Sequence, residues 1–325
     1  MKKQLFFIGI TISAITAAFG WGDQGHKAIW QAAQQNLTPA AKKAVNKILA
    51  NNKLTMTAVW LDRVREAATR KQGPLASDQE ALDFINSFPG NPNWHFVNLP
   101  LAATAYQPNT PFTSADDVVQ RLNFCIRVLE GKETSLSKRI ALRCVVHLVG
   151  DIHQPLHCAT GYYDVSNEQQ PQLKRDANAA ETCCLKFEDR GGNELKYGTG
   201  RMDELHGMWD GDLVTIVAGN SSSYRDLAEI LADNMQSVQV SDPADIHDWA
   251  AAWAVESVKL ANQFSYQGFD FGACKLDSGK TKIEGISISF TNGIDGYEQD
   301  HADIVSQQLT KAAIRLANVL NKVLK

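Results

Sequence analysis

Apolar positions recur along this chain at helical spacing far more often than at strand spacing, and the polar residues that punctuate them are helix caps and breakers. Residues His26 to Asn36 and Pro39 to Ala50 read as two helices, the second with Thr38 as N-cap and Pro39 at its first position. A third runs from about Thr55 to Arg70. Ser114 to Glu130 reads as a helix capped by Ser114, with Asp116 and Asp117 in the first turn, where negative charge suits the dipole. Leu136 to Ile152 carries Ile140, Ala141, Cys144, Val145 and Leu148, the pattern of a buried helix, and Pro155 should end or kink it. Further helices are expected over about Ser223 to Val238, Pro243 to Gln263 and Gln299 to Leu324. Ile283, Ile286 and Ile288 mark Lys282 to Phe290 as a strand or an extended loop. The span from Gly161 to Lys186 is rich in Gln, Asn, Asp and Lys and lacks apolar period, so it reads as a long surface loop, a polar insertion over 161–187. No internal repeat is evident, and the whole reads as a single, mainly α domain.

The first residues follow a different rule. Lys2 and Lys3 precede an apolar stretch from Leu5 to Phe19, with the small residues Ala18 and Gly20 where a signal peptidase reads. Residues 1–20 are therefore expected to be a signal peptide cleaved after Gly20, leaving a secreted or periplasmic domain over 21–325. The stretch is short and rich in Thr and Ser, and no other run approaches the roughly 20 apolar residues of a membrane span, so no stable membrane association is expected. Cleavage would give Trp21 a free α-amine, whose ordinary pKa of about 7.7–8.0 lets it offer a lone pair to a metal near neutral pH. Its amine and carbonyl could chelate together.

Composition narrows the partners. The formal charge of −4 counts Lys2 and Lys3, and no acid lies in the leader, so the processed chain is near −6. A lysine-rich face for duplex nucleic acid is thus excluded, and a phosphate-bearing ligand must be held by something else. Six cysteines, Cys125, Cys144, Cys158, Cys183, Cys184 and Cys274, suit disulfides in an oxidising compartment, and none has the CxxC spacing of a thiolate zinc site. Cys183 and Cys184 are expected to pair elsewhere rather than with each other. A monomer is expected.

The candidate chemistry is a set of His/Asp pairs. In His147-Leu-Val-Gly-Asp151-Ile-His-Gln-Pro-Leu-His157, His147 and Asp151 are four apart and share a helix face, and the break at Pro155 lets His157 turn back toward them. His206 and Asp210 repeat the four-residue spacing. With His26, Asp62 and His95, the inventory holds five histidines and three aspartates, enough for three sites of imidazole and carboxylate donors, which suits zinc. His153, His247 and His301 have no partner at ligand spacing and read as structural or surface residues. Trp249 and Trp253, four apart, read as core, and Gly191 and Gly192 as a turn.

The order of these pieces resembles the zinc-dependent, single-strand-specific nucleases with 3′-nucleotidase activity and, more distantly, the bacterial zinc phospholipases C. The motifs are Trp21 with His26 five residues later, Trp60-Leu-Asp-Arg-Val-Arg65, Trp94-His95-Phe96, the His147 to His157 block, Gly191-Gly192-Asn193, His206 to Asp210, Trp253 to Ser257 and Leu309 to Asn321. The resemblance implies a multi-helix domain of the phospholipase C/nuclease type with a cleft holding three zinc ions. It assigns one to Asp62, His95, His147 and Asp151, a second to Trp21, His26 and Asp151, and a third to His157, His206 and Asp210. It further implies hydrolysis of single-stranded DNA and RNA to 5′-nucleotides, and of 3′-nucleotides, through a hydroxide held between two zincs. Asp62, Arg65 and Asp151 would be catalytic, and Arg65, Phe96, Asn98 and Asn193 would bind substrate, Arg65 on phosphate and Phe96 by base stacking.

Three divalent ions against three carboxylates would leave a positive centre in an acidic protein. Asn98 stands where fungal members carry an aspartate, the insertion is longer than the family loop, and Ala313 replaces a common glycine. Two alternatives stay open: a zinc phospholipase C acting on phospholipid head groups, and a secreted zinc-binding helical protein without catalysis.

Overall fold

Side chains that accept otherwise unpaired amide protons set where the helices begin. The structure, a computed structural model, describes residues 21–50, 54–200 and 203–325. The expected signal peptide, residues 1–20, lies outside the described residues. The first half of the chain folds as α1 (Gly22–Gln35), α2 (Pro39–Leu49), α3 (Leu54–Arg70), α4 (Gln79–Ser87), α5 (Val118–Glu130) and α6 (Lys138–Asp151). Thr38 caps α2 by accepting from the Ala41 amide, with Pro39 at the first position, as its sequence predicts. The cap of α5 is Asp117 rather than Ser114: its Oδ1 accepts from the Gln120 amide at 3.0 Å, whereas Ser114 Oγ is taken by the Asp116 amide one turn earlier.

Past α6 the chain makes α7 (Pro155–Cys158), where Pro155 starts a new short turn instead of kinking the old helix. Next come α8 (Ala177–Cys183), α9 (Leu205–Gly207) running into a π-helical turn at Met208–Asp212, α10 (Leu213–Val217), α11 (Tyr224–Asn234), α12 (Trp249–Leu260) and the long α13 (Gly293–Val323). Strands are short: β1 (Leu99–Pro100) pairs in parallel with β2 (Ala159–Thr160), and β3 (Tyr162–Asp164) pairs antiparallel with β4 (Gln172–Lys174). A three-stranded sheet has the order β5 (Leu195–Lys196), β7 (Ile283–Phe290), β6 (Phe269–Leu276). Residues Lys282 to Phe290 therefore hold a strand, with Ile283, Ile286 and Ile288 buried. The chain is a single, mainly helical domain.

The centre of the fold is α6. Every residue from Ile140 to Asp151 is buried, and α1, α3, α5 and α13 pack around it. Such a helix has no solvent face, so its polar side chains point into protein. Trp249 and Trp253 lie in the core, as expected. His153 and His301 are buried on backbone carbonyls, and His247 reaches Glu130 at 3.3 Å.

Two expectations fail beyond α7. The 161–187 segment is folded rather than a surface loop: it contains β3, β4 and α8, and both Tyr162 and Tyr163 are buried. Tyr163 donates its hydroxyl to Asp189 Oδ2 at 2.8 Å, Tyr266 donates to the same carboxylate, and Asp176 caps α8. These long-range partners substitute for the apolar period that the segment lacks. Cys183 and Cys184 form a disulfide with each other; the other four cysteines are buried as free thiols in α5, α6, α7 and β6, which leaves the end of α8 no other partner.

Candidate metal centre

Because α6 is enclosed, the His147 and Asp151 side chains face protein, not water, and both are fully buried. Around them gather His26 from α1, Asp62 from α3, His95 from the loop before β1, and His157 from α7. His147 Nε2 lies 3.2 Å from Asp151 Oδ2, 3.4 Å from Asp62 Oδ1 and 3.1 Å from His95 Nδ1. The His26 ring stacks on His147 at 3.9 Å between centroids, and its Nε2 stands 3.3 Å from Asp151 Oδ1. On the far side of His157, His206 Nε2 lies 3.2 Å from Asp210 Oδ2 in the π turn, a local irregularity of the kind that re-aims functional side chains. Trp21 is buried, its main-chain nitrogen 3.3 Å from Asp210 Oδ1 and its indole N–H donated to the Gly150 carbonyl at 2.9 Å.

Backbone carbonyls orient three of the imidazoles. His147 Nδ1 donates to the Ala58 carbonyl at 2.8 Å, His157 Nδ1 to that of His95 at 2.8 Å, and His206 Nδ1 to that of Gly191 at 2.7 Å. A nitrogen committed as donor leaves Nε2 with its lone pair aimed inward, the arrangement that prepares a histidine for a metal. Gly191 carries φ 65, and a Cβ there would stand 2.2 Å from the Leu156 carbonyl oxygen, so only glycine brings its own carbonyl under His206.

The inward atoms are left without partners. His26 Nδ1 and Nε2, both oxygens of Asp62, His95 Nε2, Asp151 Oδ1, His157 Nε2 and Asp210 Oδ2 are buried and accept or donate no hydrogen bond among the described residues. Each such atom costs about 1–3 kcal/mol unless something satisfies it. Among the described residues, three groups have donor atoms close enough to grip one ion: His26, Asp62 and His147; His95, His147 and Asp151; and His157, His206 and Asp210. The donors are imidazole and carboxylate throughout, so the residues present fit divalent cations of zinc type.

Electrostatics favour the ionised carboxylates that such ligation requires. Burial pushes Asp62 and Asp151 up, but His147 and its neighbours outweigh it and hold both below the ordinary range, Asp151 well below. Burial pushes His147 down, but the same two carboxylates outweigh it and raise the ring well above the ordinary histidine range, so a metal at Nε2 would take the place of that proton. Asp210 is likewise held down, by His206 and His157 against burial. Burial lowers His95 to about 4 despite Asp151, which keeps that ring neutral.

The remaining sequence candidates lie around this centre. Desolvation lowers the pKa of Arg65 against the charges of Asp62, Asp151 and Asp210, which pull it up. Phe96 and Asn98 line a neighbouring cavity. Asn193 sits in the Gly191 turn and donates its amide to the Arg190 carbonyl at 2.6 Å. Gln154 was not singled out by sequence reasoning. It is fully buried, donates to Asp210 Oδ1 at 2.8 Å and accepts from the Leu156 amide, so it orients Asp210. Its only sequence signal is its place within the His147 to His157 block.

A mainly helical domain with, among the described residues, three buried His/Asp groups that could each hold a metal ion defines a metal-site scaffold of imidazole and carboxylate donors. Residues 21–325 match the family model described as S1/P1 Nuclease, and the chain belongs to that family. It is similar to Endonuclease 2 of Arabidopsis thaliana, 24% identical over 342 residues that cover 97% of this chain and 95% of that protein. It is also similar to Nuclease S1 of Aspergillus oryzae, at 21% identity with 99% and 98% covered, and to Endonuclease 3 of Arabidopsis thaliana at 22%, with 99% and 95% covered. The protein is a nucleic-acid phosphodiester hydrolase of a metal-dependent family.

Proposed function

We propose that the protein is an exported zinc phosphodiesterase that hydrolyses single-stranded DNA and RNA to 5′-nucleotides and removes phosphate from 3′-nucleotides. The observation that carries this reading is the density of unbonded, buried imidazole and carboxylate atoms in three adjoining groups. Three zinc ions would divide the donors: Asp62, His95, His147 and Asp151 for one; His26, Asp151 and the freed amine and carbonyl of Trp21 for the second; His157, His206 and Asp210 for the third. Bound zinc would supply Lewis acidity toward phosphoryl oxygens and water activated at neutral pH. Asp151 would serve two ions because its two oxygens face different histidines, Oδ1 toward His26 and Oδ2 toward His147 and His95.

Arg65 would hold a phosphate, since its guanidinium, which feels Asp62, Asp151 and Asp210, would meet an anion's charge once cations neutralise those carboxylates. Phe96 would stack an unpaired base, which accounts for a single-strand preference because a base in a duplex has no open face. Asn98 and Asn193 would contact substrate at the cavity and at the glycine turn. Secretion or a periplasmic place follows from residues 1–20; among the described residues no helix is long and apolar enough to cross a membrane.

The test incubates protein beginning at Trp21 with single-stranded DNA, duplex DNA, RNA, a 3′-nucleotide and phosphatidylcholine, with and without chelator, beside a metal count. Chelator-sensitive turnover of the single-stranded substrates and the 3′-nucleotide is expected. Phosphatidylcholine as the preferred substrate, or turnover indifferent to chelator, would overturn the reading.

A further inference from the structure

His206 is placed by one turn of the chain. Its ring Nδ1 donates to the Gly191 carbonyl at 2.7 Å and its main-chain amide to the Gly192 carbonyl at 3.4 Å, so imidazole and backbone lean on the same two glycines. That turn is unfavourable on its own. Arg190, Gly191 and Gly192 take φ 57, 65 and 80 in succession, a left-handed run that persists only where its surroundings over-determine it.

Two side chains supply the restraint. Thr160 Oγ1 accepts from the Gly191 amide at 3.1 Å, and Asp189 Oδ1 accepts from the Gly192 amide at 3.0 Å and from the Gly161 amide at 3.1 Å. Asp189 is fully buried. Its Oδ2 accepts from the Tyr163 hydroxyl at 2.8 Å, and the Tyr266 hydroxyl stands 2.9 and 3.0 Å from the two oxygens. These donors are neutral amides and hydroxyls, and only a carboxylate offers enough lone pairs to accept from all of them at once. An apolar junction would hold the segment without desolvating a charge, so the carboxylate stands where its grip on the turn is needed.

We propose that Asp189 is a positioning residue for the metal group His157, His206 and Asp210, acting through the Gly191–Gly192 turn on the His206 imidazole. The inference rests on the zinc reading above and adds a residue that bonds none of the ligands itself. Fixing the acceptor of Nδ1 fixes the direction of Nε2, which lies 3.2 Å from Asp210 Oδ2. The other two members are held elsewhere, His157 on the His95 carbonyl and Asp210 on Gln154, so a relaxed turn moves His206 alone. Through Tyr163 the same carboxylate ties the folded 161–187 segment to this group, and through Tyr266 it ties in the chain beyond α12.

The experiment loads wild type, D189A, D189N, T160V, H206A and the double variant D189A/H206A, each beginning at Trp21, with zinc. Bound ions are counted after dialysis against graded chelator, beside thermal unfolding. Wild type is expected to hold three ions. D189A should release one of them about 10–100-fold more readily, the range for a lost support of a metal ligand, and keep the other two as in wild type. The ion is His206's, so D189A/H206A should bind no fewer ions than H206A. D189N keeps an oxygen over both glycine amides and should restore most of the affinity. T160V frees the Gly191 amide without touching Asp189 and should loosen the same ion, which decides the matter if D189A does not fold.

A lower melting temperature in D189A and T160V with all three ions held as in wild type makes the role structural and overturns the inference, leaving the zinc reading intact. Equal loosening of all three ions, or a D189N as weak as D189A, overturns it as well. A wild type that binds no zinc overturns the zinc reading, and the inference with it.

Discussion

Gly150 and His26 meet so closely that a methyl group on the glycine would stand 2.7 Å from the imidazole Nδ1. Gly150 lies between His147 and Asp151 on α6, and the missing side chain is the space that the α1 histidine occupies when it stacks on His147. The small residue inside the His-x-x-x-Asp spacing therefore belongs to the site.

Gly150→Ala is expected to displace His26 and weaken metal binding by about 10–100-fold, the range seen when a supporting contact of a metal ligand is lost. Alanine favours a helix interior by about 1 kcal/mol over glycine, which offsets part of the clash, so the metal-free protein should melt near the wild-type temperature. Metal titration beside thermal unfolding checks the split; unchanged metal affinity would show that His26 has no share in the site.

A single extra residue before Trp21 is expected to remove one metal and most of the hydrolysis. Trp21 is fully buried, and its nitrogen lies beside Asp210, so an amide in place of a free amine takes away a lone pair at a point already fixed by the indole bond to Gly150. Metal counts on proteins beginning at Trp21 and at an added glycine, each with an intact-mass check, decide the matter.

Phe96→Ala should weaken binding of single-stranded DNA by about 1–3 kcal/mol, the worth of one base stacked on an aromatic ring. An oligonucleotide lacking a base at the cleaved position should lose nothing on the same substitution. An equal loss on both substrates would assign Phe96 to packing alone.

Acid should cancel one ion-pair network selectively. Burial pushes Glu256 up, but Arg315 and Lys311 outweigh it and hold the carboxyl at about 2, against an ordinary 4.5. Arg315 also bonds Asp242 and His153, so Glu256 ties α12 to α13. Because the folded pKa lies below the unfolded one, the stabilisation is full above about pH 4.5 and is lost as pH falls through about 2. Glu256→Gln is expected to cost on the order of 3 kcal/mol at pH 7, and the gap to wild type should close between those limits. Denaturant unfolding of both proteins across that range measures it.

Helical content was legible wherever a cap and an apolar period coincide, as at Thr38 and along α6. The cap of α5 was misread because Ser114, Asp116 and Asp117 are all capping residues; Arg121 and the Trp94 indole engage Asp116, and that choice is made by partners outside the local pattern. The 161–187 segment departs from its local pattern for a related reason. Its order comes from Tyr163 and Tyr266 meeting on Asp189, a junction with no periodic trace in the chain.

By itself, the sequence determined the donors: the histidines and aspartates are named by residue type and by four-residue spacings that a helix converts into a shared face. Tertiary structure decided how those donors group, with His26 laid on His147, Gly150 opened for it and Gln154 set behind Asp210. It also decided that Glu188 meets Asn98 across 90 residues of chain. Spacing within one helix is local geometry and can be read residue by residue. Convergence of α1, α3, α6, α7 and the π turn depends on how buried surfaces pack, and no single stretch of the chain encodes it.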